Sequence, residues 1–111
     1  MVIERLSDAH FPTEHGTFRI VAYRAGDGAE HVAVVAGDLA TAAVVPVRVH
    51  RQCLAGDLLG SLDCDCGRQL SDALRRIEAA GAGVVVYLRG GAAPDVGIAI
   101  LADLGVTSEK G

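Results

Sequence analysis

Hydrophobic and polar positions change their period several times along the chain. Phe18-Arg19-Ile20-Val21-Ala22-Tyr23-Arg24 alternates loosely and predicts a strand, closed by an Ala25-Gly26-Asp27-Gly28 turn. His31 to Ala36 (HVAVVA) predicts a second strand, broken by Gly37-Asp38. A third apolar, β-branched run, Val44 to His50, contains Pro46, which cannot donate to a ladder and so predicts an edge or bulged strand. From Arg68 to Ala80 the period becomes helical. Leu70, Ala73, Leu74, Ile77 and Ala80 share one side, Asp72, Arg75, Arg76 and Glu78 the other, and Gly81 is the stop. Val84 to Leu88 is a short buried strand and Gly90-Gly91-Ala92-Ala93-Pro94 a loop. Gly97 to Leu104 makes a last short helix, stopped by Gly105. The predicted fold class is mixed α/β: N-terminal β-strands followed by a central loop, a helix, a strand and a short helix.

Length and charge narrow the function classes. The 111 residues, 11.4 kDa, make room for one domain, expected to span residues 1–111. Only 4% of residues are aromatic although 50% are hydrophobic, so the core is built of Ala, Val, Leu and Ile. A net charge of −4 excludes a general nucleic-acid footprint, leaving room only for a local basic patch that binds phosphates. No apolar run approaches the roughly 20 residues that cross a bilayer. The first residues, MVIERLSDAHF, carry charges where a signal peptide needs an apolar stretch. The expected location is the cytoplasm, with neither DNA, RNA nor membrane as partner.

Candidate chemistry concentrates in the middle of the chain. All three cysteines, Cys53, Cys64 and Cys66, lie within one short segment, and an odd, clustered set is not a disulfide framework. Thiolates suit zinc, and three protein ligands leave a fourth tetrahedral position for water or substrate. Cys64 and Cys66 flank Asp65 and ligate together only where the backbone curls tightly, as Gly67 would allow. Other readings stay open: His50 as a fourth ligand of a purely structural site, buried thiols that act as small hydrophobes, or redox chemistry.

The run Val47 to Leu70 (VRVHRQCLAGDLLGSLDCDCGRQL) closely resembles the zinc-site segment of the GTP cyclohydrolase II family, whose signature reads like R-V-H-S-E-C-x-T-G-D-x-x-x-S-x-x-C-D-C-G-x-Q-L. Phe11-Pro12-Thr13 with Gly16, and His31-Val32-Ala33 with Gly37-Asp38, are similar to the family's N-terminal hairpin region. Gly83 to Arg89 is similar to its next strand. The resemblance implies that Cys53, Cys64 and Cys66 hold Zn²⁺. It also implies that Arg48, Val49, His50, Arg51, Gln52 and Gln69 lie against a purine nucleotide. The implied reaction is hydrolytic opening of the imidazole ring of GTP, at the head of riboflavin biosynthesis, with release of formate and pyrophosphate. Zinc suits that task because it lowers the pKa of water toward neutrality, and Mg²⁺ accompanying the nucleotide is a second candidate cofactor. A guanidinium such as that of Arg48 gives phosphate oxygens paired, charged hydrogen bonds. A homodimer is implied as well, and a chain this rich in Val and Ala leaves apolar surface to cover.

The chain departs from the family pattern at two places. Arg51-Gln52 stands where the family has Ser-Glu, and exchanging a carboxylate for an amide removes a negative charge and a proton acceptor. After Arg89 the family's E-G-R-G-I-G-L-type motif is replaced by Gly90-Gly91-Ala92-Ala93-Pro94. Asp95 to Val106 is then similar to a later family segment, D-Y-G-I-G-A-x-I-L-x-D-L-G-V. Just before that segment the family places an Asp and an Arg that act in proton transfer and nucleophilic attack. The nearest positions here are Ala92 and Pro94, and Thr107 and Lys110 do not match the family's terminal Thr and Lys. Losing a general acid or base costs ~10²–10⁴-fold. No residue of this chain is therefore assigned a catalytic role. The alternatives are a non-catalytic zinc module that keeps metal and nucleotide contacts, and divergent zinc chemistry on another small substrate.

Overall fold

The computed structural model describes residues 2–90, 92 and 94–106. Its strands are β1 (Ile3–Thr13), β2 (Gly16–Ala25), β3 (Glu30–Ala36), β4 (Val47–Arg51) and β5 (Gly83–Leu88). Its helices are α1 (Leu54–Asp57), α2 (Cys66–Ala80) and α3 (Pro94–Asp103). One five-stranded sheet has the order β1-β2-β3-β5-β4, the mixed α/β class expected. β1, β2 and β3 form an antiparallel meander, and β3 pairs antiparallel with β5. β4 runs parallel to β5, opposing His50 to Tyr87. Parallel neighbours need a long crossover, and here it carries α1, all three cysteines and α2.

Alternation along the strands sends side chains to two cores. On one face Phe18, Val34, Ala36 and Val85 pack with Ile77 of α2, flanked by Leu70, Ala73 and Leu74. On the other, Val21, Tyr23, Ala33, Val35, Val84, Val86 and Leu88 pack with Val96 and Ile100 of α3. Helix α3 is tied at its end: Asp103 accepts hydrogen bonds from Arg5 at 2.8 Å and from the Tyr23 hydroxyl at 2.8 Å. Those two partners hold the Asp103 carboxyl below its ordinary range. No helix among the described residues is long and apolar enough to cross a membrane.

Four elements differ from their sequence-based expectation, the one-turn α1 being one that no period announces. β1 extends well beyond the hairpin expected near Phe11-Pro12-Thr13, and its side chains, exposed along almost the whole strand, carry no burial pattern that announces it. The third apolar run becomes a strand only at Val47. Pro46 lies just before it, and β4 takes the edge that proline predicts. α3 begins at Pro94 rather than Gly97, and proline's fixed φ suits a first helical turn. Gly91, Ala93, Thr107 and Lys110 lie outside the described residues.

A buried histidine makes this fold sensitive to acid. His31 is 1% exposed, and its Nδ1 accepts the Arg89 backbone N–H at 2.9 Å, while Nε2 has no partner among the described residues. Burial lowers its pKa, with Asp27 opposing that shift and Arg89 adding to it. A folded-state pKa below the unfolded value of about 6.5 means that the unfolded chain takes up the proton first. Stability is therefore full above that value and falls as pH drops below it. Denaturant midpoints measured between pH 7 and 5 should fall more steeply for wild type than for His31→Gln. Parallel profiles would disprove this role for His31.

Candidate metal centre

The three cysteines come together because two glycines let α1 and the start of α2 touch. Cys53 precedes α1, a single turn, and Asp65-Cys66 opens α2. Gly56 of α1 is buried against the second segment. A Cβ there would stand 2.7 Å from the Cys64 Sγ and 2.9 Å from the Cys66 Cβ. At Gly67 a Cβ would strike the Gly56 carbonyl oxygen. The tight curl between Cys64 and Cys66 is the start of α2 itself. Gly67 contributes a close approach to α1 rather than the curl expected of it.

The Sγ atoms of Cys53, Cys64 and Cys66 all lie within 4.8 Å of one another. Those of Cys53 and Cys64 are 3.8 Å apart. Two thiolates at zinc–sulfur distances of about 2.3 Å in a tetrahedron are separated by about 3.8 Å, so the spacing fits a cation held by all three. The backbone of Gly56, then the Cys66 and Cys64 side chains, draw the Cys53 thiol below its ordinary range. Cys66 is pushed up to about 12, first by its bond with Cys53 and then by Cys64.

Asp57 and Tyr87 complete the surroundings of Cys53. The Asp57 carboxylate accepts the Cys53 backbone N–H at 3.0 Å and the Tyr87 hydroxyl at 2.7 Å. It also bonds His50 Nε2 at 3.0 Å. Burial opposes ionisation of Asp57, yet these bonds together hold its carboxyl below the ordinary value. His50 and Tyr87 stack with centroids 5.6 Å apart. His50 is 4% exposed and its Nε2 faces Asp57, so it does not join the sulfur triad as a ligand through that nitrogen. Sequence pattern alone gives Asp57 and Tyr87 no role at the site. Asp57 stands within the cysteine motif, four residues after Cys53, whereas Tyr87 meets it only through the β4–β5 pairing.

Of the residues expected to face a nucleotide, the structure brings two together and parts the others. Arg48 donates to the Gln69 Oε1 at 3.1 Å, and both line a cavity of about 290 Å³ with Pro46, Asp72 and Arg76. Gln69 and Cys66 lie one helical turn apart, on one side of α2. Val49 and Arg51 point to the opposite face of β4. Val49 lies toward Gly97 of α3, and Arg51 donates to the Ala92 carbonyl oxygen at 2.6 Å. Gln52 lines a separate, open hollow with Glu30 and Arg89. His50 belongs to the Asp57 network.

Comparison with known proteins places this arrangement. The sequence model of the family described as GTP cyclohydrolase II matches residues 4–97. The riboflavin biosynthesis protein RibBA of Salinispora arenicola is 50% identical over 97 residues, 86% of this chain and 23% of that protein. RibBA of Chlamydia muridarum is 52% identical over 90 residues, 80% of this chain and 21% of that protein. The chain thus spans about a quarter of the length of these curated relatives. Among solved structures, RibBX of A. baumannii, a two-domain 3,4-dihydroxy-2-butanone 4-phosphate synthase, aligns with a TM-score of 0.61 and 28% identity. That alignment covers 96% of this chain and 32% of RibBX. With the match running through the strands, the cysteine crossover and the start of α3, the chain belongs to the GTP cyclohydrolase II family.

Proposed function

We propose that the chain holds one Zn²⁺ on Cys53, Cys64 and Cys66 and binds GTP or a related purine nucleotide beside it. The corresponding reaction is hydrolytic opening of the guanine imidazole ring. The observation that carries this reading is the sulfur triad, within 4.8 Å, one helical turn from a glutamine already bonded to Arg48. A bound zinc supplies Lewis acidity and lowers the pKa of water at its open position. The protein's own groups supply the rest. Arg48 and Arg76 offer guanidinium donors to phosphate oxygens, and the Gln69 amide both donates and accepts. Asp72 in the same cavity limits the charge that it accumulates. Exposed apolar side chains, Leu58, Leu59 and Leu62 among them, support a homodimer.

A second reading, a non-catalytic module that binds metal and nucleotide, is favoured by Ala92 and Pro94 at the positions nearest the family's Asp and Arg. Neither side chain moves a proton. Binding survives on charged hydrogen bonds of ~1.5–3 kcal/mol each, whereas turnover needs groups that act in the transition state.

Calorimetry with GTP and a formate assay, on protein with its zinc measured, test both readings. About one zinc per chain is expected, with GTP binding that Arg48→Ala weakens roughly tenfold or more. Formate release at about 1 per second or faster supports the hydrolase, and binding with little formate supports the module. Zinc well below half an equivalent per chain, or GTP binding that Arg48→Ala leaves intact, would overturn the proposal.

A further inference from the structure

We infer that Asp57 is the positioning residue of the metal centre: its carboxylate locks the backbone of Cys53 and ties that ligand to the central sheet. The inference rests on the metal reading above and deepens it. Asp57 holds Cys53 from both ends. Its own backbone N–H donates to the Cys53 carbonyl oxygen at 2.7 Å, and its Oδ2 accepts the Cys53 N–H at 3.0 Å. A cysteine held at both peptide groups has little freedom left except rotation of its side chain.

The same carboxylate is anchored outward. Tyr87 on β5 donates to Oδ2 at 2.7 Å, and His50 on β4 meets Oδ1 at 3.0 Å and Oδ2 at 3.2 Å. Their strands pair in parallel with His50 opposite Tyr87, and the two rings stack at an interplanar angle of 16°. An ionised carboxylate only accepts, so His50 donates from Nε2. Three donors therefore converge on one side chain that is 6% exposed, and they come from two strands and from the first cysteine. Among the described residues, Cys64 and Cys66 have no equivalent tether. They are placed by the start of α2 and by the contact between Gly56 and Gly67.

The chemistry gives this arrangement a purpose. A metal site tolerates ligand displacements of only about 0.2 Å, and residues that orient ligands from behind typically contribute 10–100-fold to affinity. Cys53 leads a one-turn helix of four residues, too short to hold its own geometry. The Asp57 network provides the missing rigidity by using the sheet as its base.

The test compares wild type, Asp57→Asn and Tyr87→Phe as full chains. Zinc affinity is measured by competition with a chromophoric chelator, the absorption bands of the cobalt(II)-loaded protein are recorded, and the metal-free chains are melted. Asparagine keeps the shape but has one acceptor oxygen for three donors. The expected result is a loss of about 10–100-fold in zinc affinity for Asp57→Asn with shifted cobalt bands. Tyr87→Phe, which leaves the Cys53 and His50 bonds in place, should lose less. Shifted bands in a variant that melts like wild type distinguish positioning from general stability. Zinc affinity within about threefold of wild type and unshifted bands in Asp57→Asn would overturn the inference. Should that variant fail to fold, Tyr87→Phe decides, and an unchanged affinity and spectrum there overturn it equally. A wild-type chain that takes up no zinc overturns the metal reading, and this inference with it.

Discussion

Gly56→Ala should lower zinc affinity by about a hundredfold or more without replacing a ligand. The added methyl group would stand 2.7 Å from the Cys64 sulfur, 2.9 Å from the Cys66 Cβ and 3.2 Å from the Gly67 nitrogen. Two of those three atoms belong to cysteines of the triad and the third is backbone; the Cys64 sulfur ends its side chain, but turning it away from the methyl takes it out of the triad. The crossover must open for the methyl to fit, and opening it draws Cys64 away from Cys53. Sulfur positions matter on a scale of about 0.2 Å, and a shift several times larger exceeds what reorienting groups usually cost, 10–100-fold. Gly60→Ala is the control within the same loop. Its φ of +72° makes alanine strained there, yet nothing lies within 4 Å of the added group. That strain costs about 1–2 kcal/mol of stability and leaves the sulfur spacing alone. Competition titrations of both variants decide the matter. A Gly56→Ala chain that binds zinc within about threefold of wild type would show that the two segments need not touch.

Much of this architecture is written locally, and the exceptions have physical causes. α2 and the three central strands carry the periods of buried faces, so Leu70, Ala73, Leu74 and Ile77 mark the helix face that packs on the sheet. β1 carries no such mark. Its residues Glu4 to Pro12 are exposed, and the strand is held by its ladder with β2, which has no compositional signature. α1 has four residues, too few for a period to develop. At the site, the cysteine spacing and the sequence around it point directly to the triad. The Asp57–Tyr87 bond is different in kind, because it joins residues thirty apart and depends on β5 returning parallel to β4. The expected row of nucleotide-facing residues, Arg48 to Gln52, illustrates the same limit. A strand sends consecutive side chains to opposite faces. Arg48 therefore reaches Gln69 on α2, whereas Arg51 reaches the Ala92 carbonyl on the other side.

Ile77→Ala should remove about 2–5 kcal/mol of stability, a large part of the 5–15 kcal/mol that holds a domain of this size together. Ile77 is 2% exposed and is the only residue of α2 that is fully buried; Leu70, Ala73 and Leu74 beside it are partly covered. It sits over the start of β5, where Gly83 makes room for it: a Cβ on Gly83 would stand 2.5 Å from the Ile77 Cγ2. A side chain seated against backbone leaves a gap that its surroundings fill poorly, which puts the loss well above that of a simple transfer from water. Ile77→Val removes one methylene and should cost only about 0.5–1.5 kcal/mol. The effect reaches the site because the same helix carries Cys66 and Gln69. Zinc that binds only the folded chain adds about 2.7 kcal/mol at a hundredfold excess over its dissociation constant. Urea unfolding with and without zinc should therefore show the alanine variant weakest when metal-free and partly rescued by the metal. A metal-free loss below about 1 kcal/mol would mean that α2 is held to the sheet mainly by its other side chains.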